Sequence, residues 1–201
     1  MERPRIQDTP RYLTGLGAAV LAFFFLVNQR TDPTIVTASI FFILACTTDT
    51  LQARIPNVLT VGLAVTGVAI NIAIANMPGL LDSLLGLSLG FGLLLLPYMM
   101  GGFGAGDVKA LAALGALVGP QTILHSFIYM ALFGGAMAVL HYIFQTNLKN
   151  KIKEFWGGLK AAVLTGDLRL MRPEKTEPLR FPYAAAIAFG YFSYIHWGGI
   201  L

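Results

Sequence analysis

Two aspartates stand apart in this chain. Asp49 lies in "TTDTLQARIPN" and Asp107 in "GGFGAGDVK", and the residues around both stretches are strongly apolar. Two carboxylates brought together can share a proton. Like charges so close cannot both ionise easily, so one is held neutral while the other acts as a base. The base activates a water, and the acid protonates a developing oxyanion or a leaving amine. Such a pair needs neither metal nor cofactor, and none is expected here.

The elements that must carry the pair follow from composition. Of 201 residues, 56% are hydrophobic and 12% charged, with a positive mean hydropathy. A soluble domain carries about 25% charged residues, so the chain reads as an all-α polytopic membrane protein of six to seven spans. Apolar segments occupy 13–27, 34–48, 58–76, 80–100, 108–119, 122–144 and 183–201, separated by short polar pieces and one long one at 145–182. The basic N-terminus leads into an apolar run with no small-residue cleavage site, so a retained first span is expected. The whole chain, 1–201, is expected to form one membrane-embedded domain. Within it, 146–181 forms a basic cytoplasmic amphipathic segment, with Leu148, Ile152, Phe155, Leu159 and Val163 on one stripe. No nucleic-acid partner is expected.

Seven spans with a cytoplasmic N-terminus leave Arg30 as the only outer Lys or Arg of the 14 in the chain, a strong positive-inside bias. Asp49 and Asp107 then share the cytoplasmic face. Segments 34–48 and 108–119 are short for a bilayer core of about 30 Å. If 34–48 continues as helix to about Ala53 it becomes long enough, and both acids are partly submerged. Ionisable groups at such depth are costly and usually functional. Asp49 sits near a helix C-terminus, where the dipole disfavours an anion, and Asp107 at an N-terminus, where it favours one. This makes Asp107 the base of the resting pair.

Structural readings stand beside these. Asp107 after a glycine run is a candidate helix N-cap. Pro56 forces Ile55 into an extended conformation, and Asn57 can cap the next span. Asp32 and Asp82 lie on the outer face and read as structural. Cys46, in an apolar run, reads as a small hydrophobe, and His125, His141 and His196 show no ligand spacing. The glycine run lacks the strand and amphipathic helix of a dinucleotide site and the GK[ST] of a P-loop. A run of glycine lets another backbone come close. Gly104 and Gly106 are therefore assigned to substrate binding. Alanine there is expected to obstruct that approach, or a positive φ, more than alanine at Gly101.

"GAGDVKALAALGALVGP" resembles the GxGD block of the prepilin peptidases, membrane aspartic proteases of type IV pilus and archaeal flagellin systems. "DTLQARIPN" resembles their first acidic motif, and "RFPYAAAIAFG", with Pro182 and Tyr183, the opening of their last span. The resemblance implies an endopeptidase that removes a short basic leader from prepilin- or preflagellin-like proteins at the cytoplasmic face of the cell inner membrane. It implies Asp49 and Asp107 as the catalytic aspartates, and it places Lys109 beside them as a substrate-side or anchoring lysine. With a single cysteine the chain lacks the zinc-domain cysteine pairs of the larger members. It resembles the compact form found with Tad/Flp-type pili and in archaea, so N-methyl transfer is not expected. A proton-coupled transporter and a non-catalytic pilus-assembly component are the alternatives.

Overall fold

The computed structural model describes residues 9–99, 102–145 and 183–199, which are helical apart from short connections. The basic amphipathic segment expected at 146–181 lies outside the described residues. The helices are α1 (Thr9–Asn28), α2 (Pro33–Gln52), α3 (Asn57–Met99), α4 (Ala105–Gln145) and α5 (Tyr183–Trp197). Three of them, α2, α3 and the described part of α4, are long and apolar enough to cross a membrane. The chain divides into two compact units, 1–135 with 182–201, and 136–181. All contacts given below lie within the first.

Helix α2 begins where Asp32 accepts the N–H groups of Thr34 (2.8 Å) and Ile35 (3.3 Å), with Pro33 at the first position. This is the structural role expected of Asp32. The helix runs past Thr48 to Gln52, which supplies the missing turn. It stops at Ala53, which takes the left-handed conformation with φ 53°.

At 43 and 41 residues, α3 and α4 would each be about 60 Å long if straight, twice the bilayer core. Both are broken. Asn76 (φ 55°) leaves the helical region two residues before Pro78, and Gly119 (φ 80°) does so immediately before Pro120. A positive φ suits glycine, and a proline cannot donate to the preceding turn. Each break reverses the chain. Asn71 reaches Ser83 Oγ at 2.9 Å, although twelve residues of straight helix would separate them by about 18 Å. Contacts then fix directions. Residues 57 and 71 meet 109 and 116–117, whereas 86 and 90 meet 115 and 111. The first half of α3 therefore runs parallel to the first half of α4, and the second half of α3 antiparallel to it. Likewise Gly190 packs on Met130, Gly134 on Ala186, and His125 on Tyr194, so the returning half of α4 is antiparallel to α5. Among the described residues seven helical stretches alternate in direction, matching the seven apolar segments.

Helix packing within lipid relies on small residues and interhelical hydrogen bonds. A Cβ on Gly86 would strike the carbonyl oxygen of Gly115, and one on Gly115 would strike that of Gly86. Helix α5 sits at the centre, with Ala184 to Ala188 buried. Phe192 stacks on Phe25 of α1 (centroids 4.7 Å) and meets Phe42 of α2 edge-on (5.7 Å). Apolar side chains of α3 such as Val58, Val61, Leu81 and Leu85 face outward. Helix α1 also supports the end of α2. Its Gly15 lies against the side chain of buried Thr50, so it backs the turn that carries Asp49.

One polar residue inside an apolar span closes a gap that the break at Gly119 opens. Pro120 has no N–H to offer Ala116, and the bend at Gly119 removes the next regular partner. Asn71 Nδ2 donates to the carbonyls of both Ala116 and Leu117, at 3.1 Å each. In a bilayer such carbonyls have no water to turn to. Asn71 is thus the cap at the far end of the helix whose near end carries Asp107.

Cys46 is buried in α2, as a small hydrophobe would be. His125 stacks on Tyr194 (5.4 Å) and bonds its own helix at Gln121 O. His141 has its side chain outside the described residues. Among the described residues no three potential metal ligands cluster.

Candidate active site

Asp49 occupies the last turn of α2. Its backbone oxygen accepts the N–H of left-handed Ala53 at 2.9 Å, which ends the helix and turns the chain into "RIPN". Its side chain is 7% exposed. Ile55, also buried, carries the segment back toward the second motif. A Cβ on Gly106 would lie 3.6 Å from Ile55 Cβ. The two acidic motifs therefore meet through "IPN".

Asp107 is the third residue of α4. The cap is Gly104, whose carbonyl accepts the N–H of Asp107 (3.1 Å) and of Val108 (3.4 Å). Asp107 reaches back, and its Oδ2 accepts the Gly104 N–H at 3.0 Å. This is the returning half of a capping box. Asp107 is therefore not itself the N-cap, contrary to its alternative structural reading. The acid sits one turn inside, because Gly104 can expose its own backbone where a side-chain cap would need room. Asp107 is 8% exposed.

Helix α5 joins the two acids. The Ala184 N–H donates to Asp49 Oδ2 at 3.2 Å. The hydroxyl of the adjacent Tyr183 donates to the Gly102 carbonyl at 2.8 Å, and its ring lies 4.4 Å from that of Phe103. Asp49 and Asp107 lie within electrostatic reach of one another, and Tyr183 lies within reach of Asp107.

This arrangement corrects the dipole argument. Asp49 is at the C-terminus of its own helix, but the fold lays the N-terminus of α5 against its carboxylate. Each acid thus accepts a backbone N–H at the start of a helix, from the cap Gly104 or from Ala184 in the first turn of α5, an arrangement that favours an anion. Helix dipoles do not mark Asp107 as the base.

The proposed substrate-side residues divide. Lys109 is exposed and donates to Asn57 Oδ1 at 3.1 Å, tying the first turn of α4 to that of α3. Asn57 is therefore occupied across the site and does not cap its helix. The Pro56 carbonyl does so, accepting from Leu59 (3.0 Å) and Thr60 (3.4 Å). A Cβ on Gly104 would crowd Asp107 Oδ2 at 3.1 Å. A positive φ explains neither glycine, since the described glycines with positive φ are Gly119 and Gly198. Gly101 lies outside the described residues. The loop is also more self-bonded than an open strand edge. Gly102 N–H donates to Pro97 O (3.0 Å), and Gly102 O and both backbone groups of Gly104 are engaged as described above. These bonds involve the peptides flanking Phe103.

A model of the type IV leader peptidase family matches residues 36–139. That is just over half of the chain, and it includes both aspartates. The chain belongs to the type IV leader peptidase family. No curated protein and no solved structure matches it. Helices α1 and α5 lie outside the matched range, so this leader peptidase family member completes the surroundings of its two acids with residues from beyond it. From the "RFPYAAAIAFG" stretch, Tyr183 and Ala184 contact both acidic motifs. Asn71 belongs to no motif, and its signal in the sequence is an amide in the interior of an apolar segment.

The meeting of the two motifs is directly testable. In a Cys46→Ala background, Ile55→Cys with Gly106→Cys places the two Cβ atoms within the span of about 3.5–4.5 Å that a disulfide bridges. The pair is expected to oxidise nearly completely in membranes, shown by loss of thiol labelling that a reductant restores. Persistent free thiols would separate the motifs.

Proposed function

We propose that the protein is an aspartic endopeptidase that removes the short basic leader of prepilin-like proteins at the cytoplasmic face of the membrane. The observation that carries this reading is two buried aspartates on separate helices, within electrostatic reach of each other, at the same end of a helix bundle. With one carboxyl protonated and the other ionised, the ionised group removes a proton from a water. The water oxygen bonds to the scissile carbonyl carbon while the protonated carboxyl gives its proton to the carbonyl oxygen. Collapse of the tetrahedral intermediate breaks the C–N bond; the proton held by the base passes to the leaving amine, and a hydroxyl of the intermediate returns its proton to the other carboxylate. The pair returns to its singly protonated state.

The substrate must be extended where it is cut, because a peptide bond within a helix is poorly exposed. Gly104, beside Asp107, is where its backbone passes closest, with Phe103 the loop peptide that faces it. Lys109 acts at one remove by holding the two motif segments together. Co-expression with prepilin candidates from the same genome tests the reading. Leader removal, seen as a gel shift and verified at the new N-terminus, is expected for at least one. Failure with every candidate that carries a basic leader and a following hydrophobic helix would refute it.

All seven helical stretches are proposed to cross the bilayer, with the end that carries the aspartates on the cytoplasmic side, as the placement of Lys and Arg favours. Single cysteines at Gln52 and Gly102, in the Cys46→Ala background, are expected to label only from the cytoplasm. Those at Gln29 and Gln121 are expected to label only from outside. Labelling of Gln121 and Gly102 from one side would make the first half of α4 re-entrant.

A further inference from the structure

The start of α5 spans the gap between the two acidic motifs, and consecutive residues do it. From Asp49 Oδ2 a hydrogen bond of 3.2 Å leads to the Ala184 N–H. One peptide link leads to Tyr183, whose hydroxyl holds the Gly102 carbonyl at 2.8 Å. Two residues further along the loop, the Gly104 N–H holds Asp107 Oδ2 at 3.0 Å. Three hydrogen bonds and short covalent links thus form an unbroken path from one carboxylate to the other. Two of the three bonds use backbone donors at helix starts, which no ordinary substitution removes. The third depends on a side chain.

We infer that Tyr183 is a positioning residue for the proposed reaction, its hydroxyl setting the glycine loop, and with it Asp107, relative to Asp49. The inference rests on the aspartate-pair reading above. The geometry explains why a side chain is needed. The loop from Gly102 to Gly104 carries two glycines, so its backbone is intrinsically mobile. Asp107 holds the loop at Gly104 but shares whatever motion the loop has. An anchor outside the loop must fix both, and the anchor found is on the helix that also holds Asp49. The Phe103 ring, 4.4 Å from that of Tyr183, packs against the anchor and limits sideways movement.

Tyr183→Phe removes the hydroxyl and keeps the ring. A misplacement of about 1 Å between reacting groups costs on the order of 10²-fold in rate. The expected result is a fall in kcat of about 10- to 100-fold, with KM within about twofold and the amount of folded enzyme in the membrane unchanged. Tyr129→Phe removes a hydroxyl that bonds the Gly198 carbonyl at 3.2 Å, away from both acidic motifs, and is expected to retain kcat within about threefold. The pH–rate profile supplies a readout that loss of folding would not move. As the carboxylates part, their coupling weakens and the bell-shaped profile narrows. A second measurement does not need activity. In the Ile55→Cys, Gly106→Cys, Cys46→Ala background, adding Tyr183→Phe is expected to slow disulfide formation several-fold.

Unchanged kcat in Tyr183→Phe, a loss confined to KM, or a loss wholly explained by less folded protein would overturn the inference. So would an equal loss of kcat in Tyr129→Phe. These outcomes leave the peptidase reading intact. If the unsubstituted enzyme cleaves no candidate, the peptidase reading fails. The disulfide rate then decides alone whether Tyr183 sets the loop, and an unchanged rate overturns that too.

Discussion

Asp49→Asn and Asp107→Asn are each expected to lower leader cleavage by at least about 10³-fold while leaving the protein folded in the membrane. The size follows from removal of a proton-transfer group, worth typically 10²–10⁴-fold, from a pair in which neither member works alone. For the same reason the double variant should be no slower than the worse single one, since groups acting as a unit are non-additive. Retention of the fold has a specific cause. An asparagine amide oxygen can still accept from the Ala184 N–H at position 49 and from the Gly104 N–H at position 107, so the packing contacts survive while the ionisable group is lost. Cleavage is scored per folded enzyme, with folding checked by detergent extraction and thermal stability. Residual cleavage above about one tenth of normal in either variant would remove that residue from the chemistry.

A comparable loss is expected from a position that touches no reacting group. Gly86→Val and Gly115→Val should leave almost no folded enzyme. A Cβ at either site falls on the opposing backbone carbonyl oxygen. Both contacts are backbone on one side, and backbone cannot swing away as a side-chain tip does. Overpacking commonly costs about 1–3 kcal/mol and can cost more where nothing yields. Separating the two helices would also pull the helix that carries Asp107 away from α3. Gly62→Val and Gly92→Val are the controls, because a Cβ there meets nothing within 4 Å. The measurement is the yield of monodisperse protein after extraction, with the melting temperature of whatever survives. Normal yield from Gly86→Val would mean that the helices do not approach as closely as described.

The seven helical stretches were legible because their causes are local. Hydropathy marks each apolar run, and Asn76 with Pro78, and Gly119 with Pro120, interrupt the helical backbone at the places where the runs part. The turn added to α2 was legible for a similar reason, since a span of fifteen residues is too short for the bilayer core. The nearness of Asp49 and Asp107 was also legible, because both stand at the same end of the alternating apolar runs. The caps were read less well. Asn57 and Asp107 were both candidate N-caps from the residues beside them. In the fold, Asn57 is taken by Lys109, 52 positions away, and Gly104 serves in place of Asp107.

The sequence by itself determined that this is an all-helical membrane chain, where its helices break, and which two carboxylates stand at one end of it. Each of these depends on residues within a turn or two of one another, or on the alternation of apolar runs and the breaks between them. Tertiary structure alone decided what holds those carboxylates. Asp49 meets the first turn of α5, a helix that begins 134 positions later in the chain (183 − 49), and its electrostatic setting was misread from its own helix for that reason. Asn71 looks like a stray amide until the break at Gly119 leaves two carbonyls without partners. The field at a carboxylate and the partner of an orphaned carbonyl depend on what is near in space, and the order of residues along one helix carries no record of which other helix will arrive there.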